Sequence, residues 1–247
     1  AHYAQDWNYT VELYNYLMPK VDRKRYSIVF YWTLGHLAGA LQKLGRYPEA
    51  AYRYSLIFRN CLSKRTQAYR SFVIRNDKDW EATLKLCTSD SEKSTLFLMR
   101  AGGSHTFAVE DMQIIQQLDE GNTQLDLLLI SDVQELEKIY LRTWVTDRRQ
   151  GTALGSIKRE VAAKHLLELQ KFVRTSIREK KAANLHLWRA MEGYLELLAG
   201  DRYAARTTWD RLGHDLDDNE YDQKIRDQLE IWYVLLEILN LDPNENN

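Results

Sequence analysis

Only two cysteines, Cys61 and Cys87, occur in 247 residues. That is too few for a disulfide framework, and the expectation is two buried free thiols packed as small hydrophobes. Three prolines and 11 glycines are sparse for a β-rich chain of this length, which needs many tight turns. No stretch approaches the roughly 18 uncharged apolar residues of a membrane-spanning helix. Charge of one sign is also lacking: 34 Lys/Arg stand against 35 Asp/Glu, a formal net charge of −1. A general nucleic-acid binder is usually strongly basic, so this balance argues against one. The chain opens Ala-His-Tyr, with neither an initiator Met nor an apolar leader, as expected of a processed or excised segment.

What is present is helix-forming. Apolar residues make up 45% of the chain and aromatics 11%, ample for a core and too many for a disordered chain. Trp7, Val11, Tyr14 and Met18 form a helical stripe that Pro19 closes. Residues 26–44 carry Phe30, Leu34, Leu37, Ala38, Leu41 and Leu44 at core-facing spacing. Gly45 then stops the helix, and Pro48 fits the first turn of the next. Further helical segments are expected at 64–75, 79–88, 91–101, 104–118, 123–147 and 156–179. The last three fall at 184–199, 201–213 and 221–240. About twelve helices on short joints, with no strand signal, predict an all-α fold of stacked antiparallel pairs. One continuous body over 1–247 is expected, with weak boundaries only at Gly121 or Gly151–Gly155.

One phrase occurs twice. LGRYPEAAYRY at 44–54 and LAGDRYAARTTW at 198–209 each hold a glycine, an alanine five residues later and an aromatic four beyond that. With the residues before them, the copies read Leu34, Leu37, Ala38, Leu41, Gly45, Tyr47, Ala50, Tyr54 and Ile57, then Trp188, Gly193, Gly200, Ala205, Trp209 and Leu212. This pattern resembles the tetratricopeptide repeat, a helix–turn–helix unit of about 34 residues. The family's usual proline after the second helix is absent from both copies, and the two units cover about a quarter of the chain.

The resemblance implies a right-handed α-solenoid whose first helices line a concave, partner-binding surface. Carried over, it puts Trp32, Gly35, Gly39, Gln42 and Lys43 on the groove of the first unit. In the second unit the matching face is Leu187, Ala190, Tyr194, Leu197 and Leu198. That face is markedly apolar: either it binds something greasy, or it is covered by the terminal helix, with Ile231, Trp232, Leu235 and Leu239, which is the expectation. For Gly35 and Gly39 a plainer reading is that they admit a neighbouring helix.

Catalytic and metal motifs are scarce. The six histidines are never closer than 21 residues, so none forms the i, i+4 pair of a helical metal site. His36 and His165 read as packed or capping residues. Gly151 to Lys158 lacks the preceding strand and glycine spacing of a phosphate loop. Asp215, Asp217 and Asn219 alternate as in a calcium loop, but Glu220 replaces its glycine, leaving a solvated acidic joint. No cofactor is implied. Residues 156–181 carry an excess of five positive charges, and residues from 210 onward an excess of eight negative ones. Such faces are usually solvated, and a basic strip that steers an acidic partner is the alternative. The expected function is a non-catalytic protein- or peptide-binding module, with neither nucleic acid nor a membrane span. The alternatives are an all-helical enzyme or small-ligand binder with an aromatic and acidic pocket, and a structural spacer.

Overall fold

The computed structural model describes residues 5–21, 27–103, 108–146 and 153–240. Among them are twelve α-helices, two 3-10 turns and no strand. The chain divides into two compact units, Ala1–Gly103 and Ser104–Asn247, and each is described by itself. The joints at Gly121 and 151–155 fall inside the second unit, and residues 151 and 152 lie outside the described residues.

In the first unit, α1 (Trp7–Leu17) and α2 (Ile28–Lys43) precede α3 (Tyr47–Asn60). A 3-10 turn, Leu62–Lys64, leads into α4 (Arg65–Ser71), followed by α5 (Asp77–Lys85) and α6 (Asp90–Gly103). Helix α3 is the hub, packing against α2, α4, α5 and α6. It can serve four neighbours because Ala50, Ala51, Tyr54, Ser55 and Ile57 are all buried, leaving little of its circumference polar. From α2, Leu34, Leu37, Ala38 and Leu41 enter the same core. Each buried leucine contributes about 2 kcal/mol relative to exposure.

The second unit comprises α7 (Val109–Leu118), α8 (Leu125–Thr146) and α9 (Ala153–Arg178), then α10 (Leu185–Leu198), α11 (Arg202–Asp215) and α12 (Glu220–Asn240). Here α10 is the hub, against α8, α9, α11 and α12. Nine of its 14 residues are buried, so polar groups inside must be paired. The Trp188 indole N–H donates to Asp126 at 2.7 Å. Gln170 of α9 donates to the Leu195 carbonyl at 3.1 Å.

The repeated phrase has a structural counterpart. Gly45 and Gly200 both take positive φ, 78° and 88°. In the first copy Arg46 N–H donates to Leu41 O and Gly45 N–H to Gln42 O. In the second, Asp201 N–H donates to Glu196 O and Gly200 N–H to Leu197 O. These paired bonds are a Schellman stop, which satisfies orphan carbonyls and favours glycine where a Cβ would strain. Ala50 and Ala205 are buried, as are the aromatics four residues on, Tyr54 and Trp209.

Candidate functional site

Helix α2 presents Trp32, Gly35, His36 and Gly39 at steps of three and four, which places them on one face. Across from them stand Lys64, at the end of the 3-10 turn, and Gln67 and Ala68 of α4. Tyr54 and Ile57 of α3, which packs against both α2 and α4, form the floor. The groove encloses about 410 Å³, within the range of ligand and side-chain pockets.

Its most conspicuous group is Trp32, 48% exposed although indole is the largest apolar side chain available. The Lys64 ammonium lies 5.2 Å from the centre of that ring, a cation–π distance. It also donates to Gln67 Oε1 at 3.2 Å. Burial pushes the Tyr54 hydroxyl above its ordinary pKa, so the floor is neutral. Gly35 is not needed for packing. A Cβ there would meet Ile57 Cδ1 at 3.8 Å, an ordinary contact, whereas glycine inside a helix costs about 1 kcal/mol relative to alanine.

Of the five residues expected at the partner surface, Trp32, Gly35 and Gly39 line this groove. Gln42 is half-buried and Lys43 exposed, farther along the same face of α2 and beyond the lining. His36, read as a packed residue, is exposed and lines the groove instead. The periodicity of α2 carries no signal for Lys64, Gln67 and Ala68, because they come from the 3-10 turn and from α4. A signal for the groove's character was present in the sequence. Between Ile28 and Asn76 eight Lys/Arg stand against one acid, Glu49, an imbalance hidden by the near-zero total.

The matching face in the second unit is covered. Tyr194 stacks on Trp232 of α12 at 4.6 Å, and Trp232 stacks on Trp209 at 5.4 Å. Ala190, Leu197 and Leu198 are buried. Of the α12 residues expected over this face, Trp232 is buried and Ile231 is exposed. A cavity of about 520 Å³ remains between α8, α10 and α12, and Leu187, Ala190 and Tyr194 line part of it.

Elsewhere the chemically suggestive groups are held in structural roles. His165 is buried beside Asp132, Nε2 to Oδ2 at 3.1 Å, and Asp132 also accepts the Ala108 N–H that opens α7. Arg174, from the basic stretch, pairs with Glu192 at 3.3 Å and with buried Glu196 at 2.8 Å. Lys164 and Lys181 of the same stretch lie beside Glu168 and Glu179. Asn219 caps α12 by accepting the Asp222 N–H at 2.9 Å, and Asp215 pairs with Arg189. From Ala153 the glycine-bearing stretch is helical, not a phosphate-cradling loop. Among the described residues no group of three or more His, Cys, Asp or Glu could hold a metal. No described helix is long and apolar enough to cross a membrane.

Cys61 is buried and Cys87 half-buried, and both are free thiols. Burial, with Glu92 nearby, pushes Cys87 up to about 11, away from the thiolate a nucleophile needs. Comparison with protein-family models, curated proteins and solved structures finds no match to the chain.

Proposed function

We propose that the chain is a non-catalytic helical-repeat module that binds a protein or peptide segment in the α2–α4 groove of its first unit. The supporting observation is Trp32, half in water beside Gly35, a glycine that packing does not require. An exposed indole beside a shallow trough is the kind of anchor that dominates protein–protein contacts. In this reading Trp32, Gly35 and Gly39 touch the partner, and Gln42 and Lys43 continue the surface. The tetratricopeptide-like, right-handed stacking of antiparallel pairs belongs to the same proposal. It is supported by the matched Schellman stops and by the succession of α8, α10 and α12, each packed on the next.

Selection of a displayed random-peptide library on the full chain tests it. Peptides enriched on the native protein should bind Trp32→Ala at least about tenfold more weakly, the loss expected of an anchor residue. Enrichment of nothing, or of peptides indifferent to Trp32→Ala and Lys43→Glu, removes the groove from consideration.

A further inference from the structure

The elements that build the Trp32 groove carry almost one sign of charge. Their single acid, Glu49, is held by Arg46 through Nε to Oε1 at 2.7 Å, and Arg75 is drawn to Asp79 at 3.2 Å. Among the described residues no carboxylate forms an ion pair with Lys43, Arg53, Arg59, Lys64, Arg65 or Arg70. Arg65 is occupied differently, donating to the Phe58 carbonyl at 2.9 Å. The groove itself is lined by Lys64 and by no acid. Unpaired like charges beside a low-dielectric trough repel one another and create a positive potential that a negative ligand relieves.

The placement of the lysines narrows the ligand. Lys64 lies over Trp32 at one end of the α2 face, and Lys43 ends the same face. At about 1.5 Å per helical residue the two ends are roughly 16 Å apart, the span of about five residues of extended chain. Between them lie Gly35 and Gly39, with Tyr54, Ile57 and Ala68 beneath. We infer that the groove selects a short acidic peptide segment, with a large apolar side chain against Gly35 and Gly39 and a carboxylate toward each of Lys64 and Lys43. The inference rests on the peptide-binding reading above and adds the chemistry of the partner. A single-stranded nucleic acid would also meet positive charge, but it favours successive stacking platforms along a basic track. Here one indole stands exposed, and the other aromatic rings of the lining, Tyr31 and Tyr54, are packed against the core of the first unit.

The test uses fluorescently labelled synthetic peptides of equal length, each with a central Phe, flanked by Asp/Glu, by Asn/Gln or by Lys/Arg. A thymidine oligomer is the fourth probe. Binding to the full chain is read by anisotropy. The acidic peptide should bind about tenfold or more tightly than the neutral one, and the preference should shrink as salt rises from about 50 to 500 mM. Lys64→Glu should reverse the order, weakening the acidic peptide and admitting the basic one. Trp32→Ala should weaken all peptides. If acidic and neutral peptides bind alike and both need Trp32, the charge inference fails while the peptide-binding reading stands. If no peptide's binding depends on Trp32, both fail. If the thymidine oligomer binds more tightly than the acidic peptide and needs Trp32, the partner is nucleic acid and the inference is overturned.

Discussion

A Cβ added at Gly193 would lie 2.6 Å from Trp209 Cδ1 and 3.0 Å from Cε2, inside the indole's contact surface. The same atom added at Gly35 meets only Ile57 Cδ1, at 3.8 Å. Trp209 cannot retreat cheaply, since its N–H donates to the Ala190 carbonyl at 3.1 Å and its ring is sandwiched against Trp232. Gly193→Ala should therefore destabilise the protein by about 2–3 kcal/mol despite its better helix propensity, because overpacking outweighs the propensity gain. Gly35→Ala should do the opposite, adding about 0.5–1 kcal/mol. Denaturant titration followed by tryptophan fluorescence measures both. A tolerated alanine at 193 would mean that α11 does not press on α10 there. A destabilising alanine at 35 would mean that a packing contact demands the glycine, which removes one support for the groove. Between the two copies of the phrase, Gly193 and Ala38 occupy matching positions 155 residues apart, as do Trp209 and Tyr54. The larger ring in the second copy faces the smaller residue.

Helix ends show the same logic at the next scale. Helix α9 closes on a Schellman stop like those at Gly45 and Gly200, with Lys181 N–H donating to Ser176 O and Lys180 N–H to Ile177 O. The residue at positive φ is here Lys180, at 57°, a conformation that strains any side chain with a Cβ. Lys180→Gly should stabilise the protein by about 1 kcal/mol, raising Tm by roughly 2–4 °C. An unchanged or lower Tm would refute the strain. At the start of α12 the buried Asp222 accepts from Asp217 N–H, from the Asn219 side chain and from His186 Nδ1, each within 3.0 Å. The His186 bond leads in holding its carboxyl below the ordinary Asp range. The unfolded chain therefore takes up this proton at a higher pH than the folded one. The stabilisation is complete above the ordinary Asp range and is lost as pH falls through the depressed folded value. Asp222→Asn should lower stability at neutral pH and flatten the acid limb of stability against pH. An unaltered acid limb would show that the network does not form.

Most of these elements were legible beforehand because their boundaries are written in local chemistry. Gly45, Pro48 and Gly200 fall within one or two residues of the observed ends. The groove was only half legible. Trp32, Gly35 and Gly39 share one helix, and helical periodicity alone brings them together. Lys64, Gln67 and Ala68 form the other wall because α3 lies between α2 and α4. No pattern within the seven-residue α4 announces which helix it will face.

For the molecule as a whole, the formal net charge of −1 conceals a strong separation. Residues 28–76 carry a large positive excess in the first unit, and residues from 210 onward a large negative excess in the second. Fields in salt solution are felt over about one Debye length, roughly 10 Å at 0.1 M, so a partner or a resin that meets the first unit senses its basic excess. The protein should therefore be retained on a cation-exchange matrix at pH 7 and low salt, although its total charge is slightly negative. Elution should come at about 0.1–0.3 M salt, where the Debye length shortens to roughly 10 Å and below. Replacing Lys43 and Lys64 together by Gln should advance elution at a cost in stability of no more than about 1 kcal/mol, from the lost contact of Lys64 with Trp32. Flow-through of the native protein at low salt would show that its basic residues are neutralised within the molecule. The groove would then present no net positive field to an acidic segment.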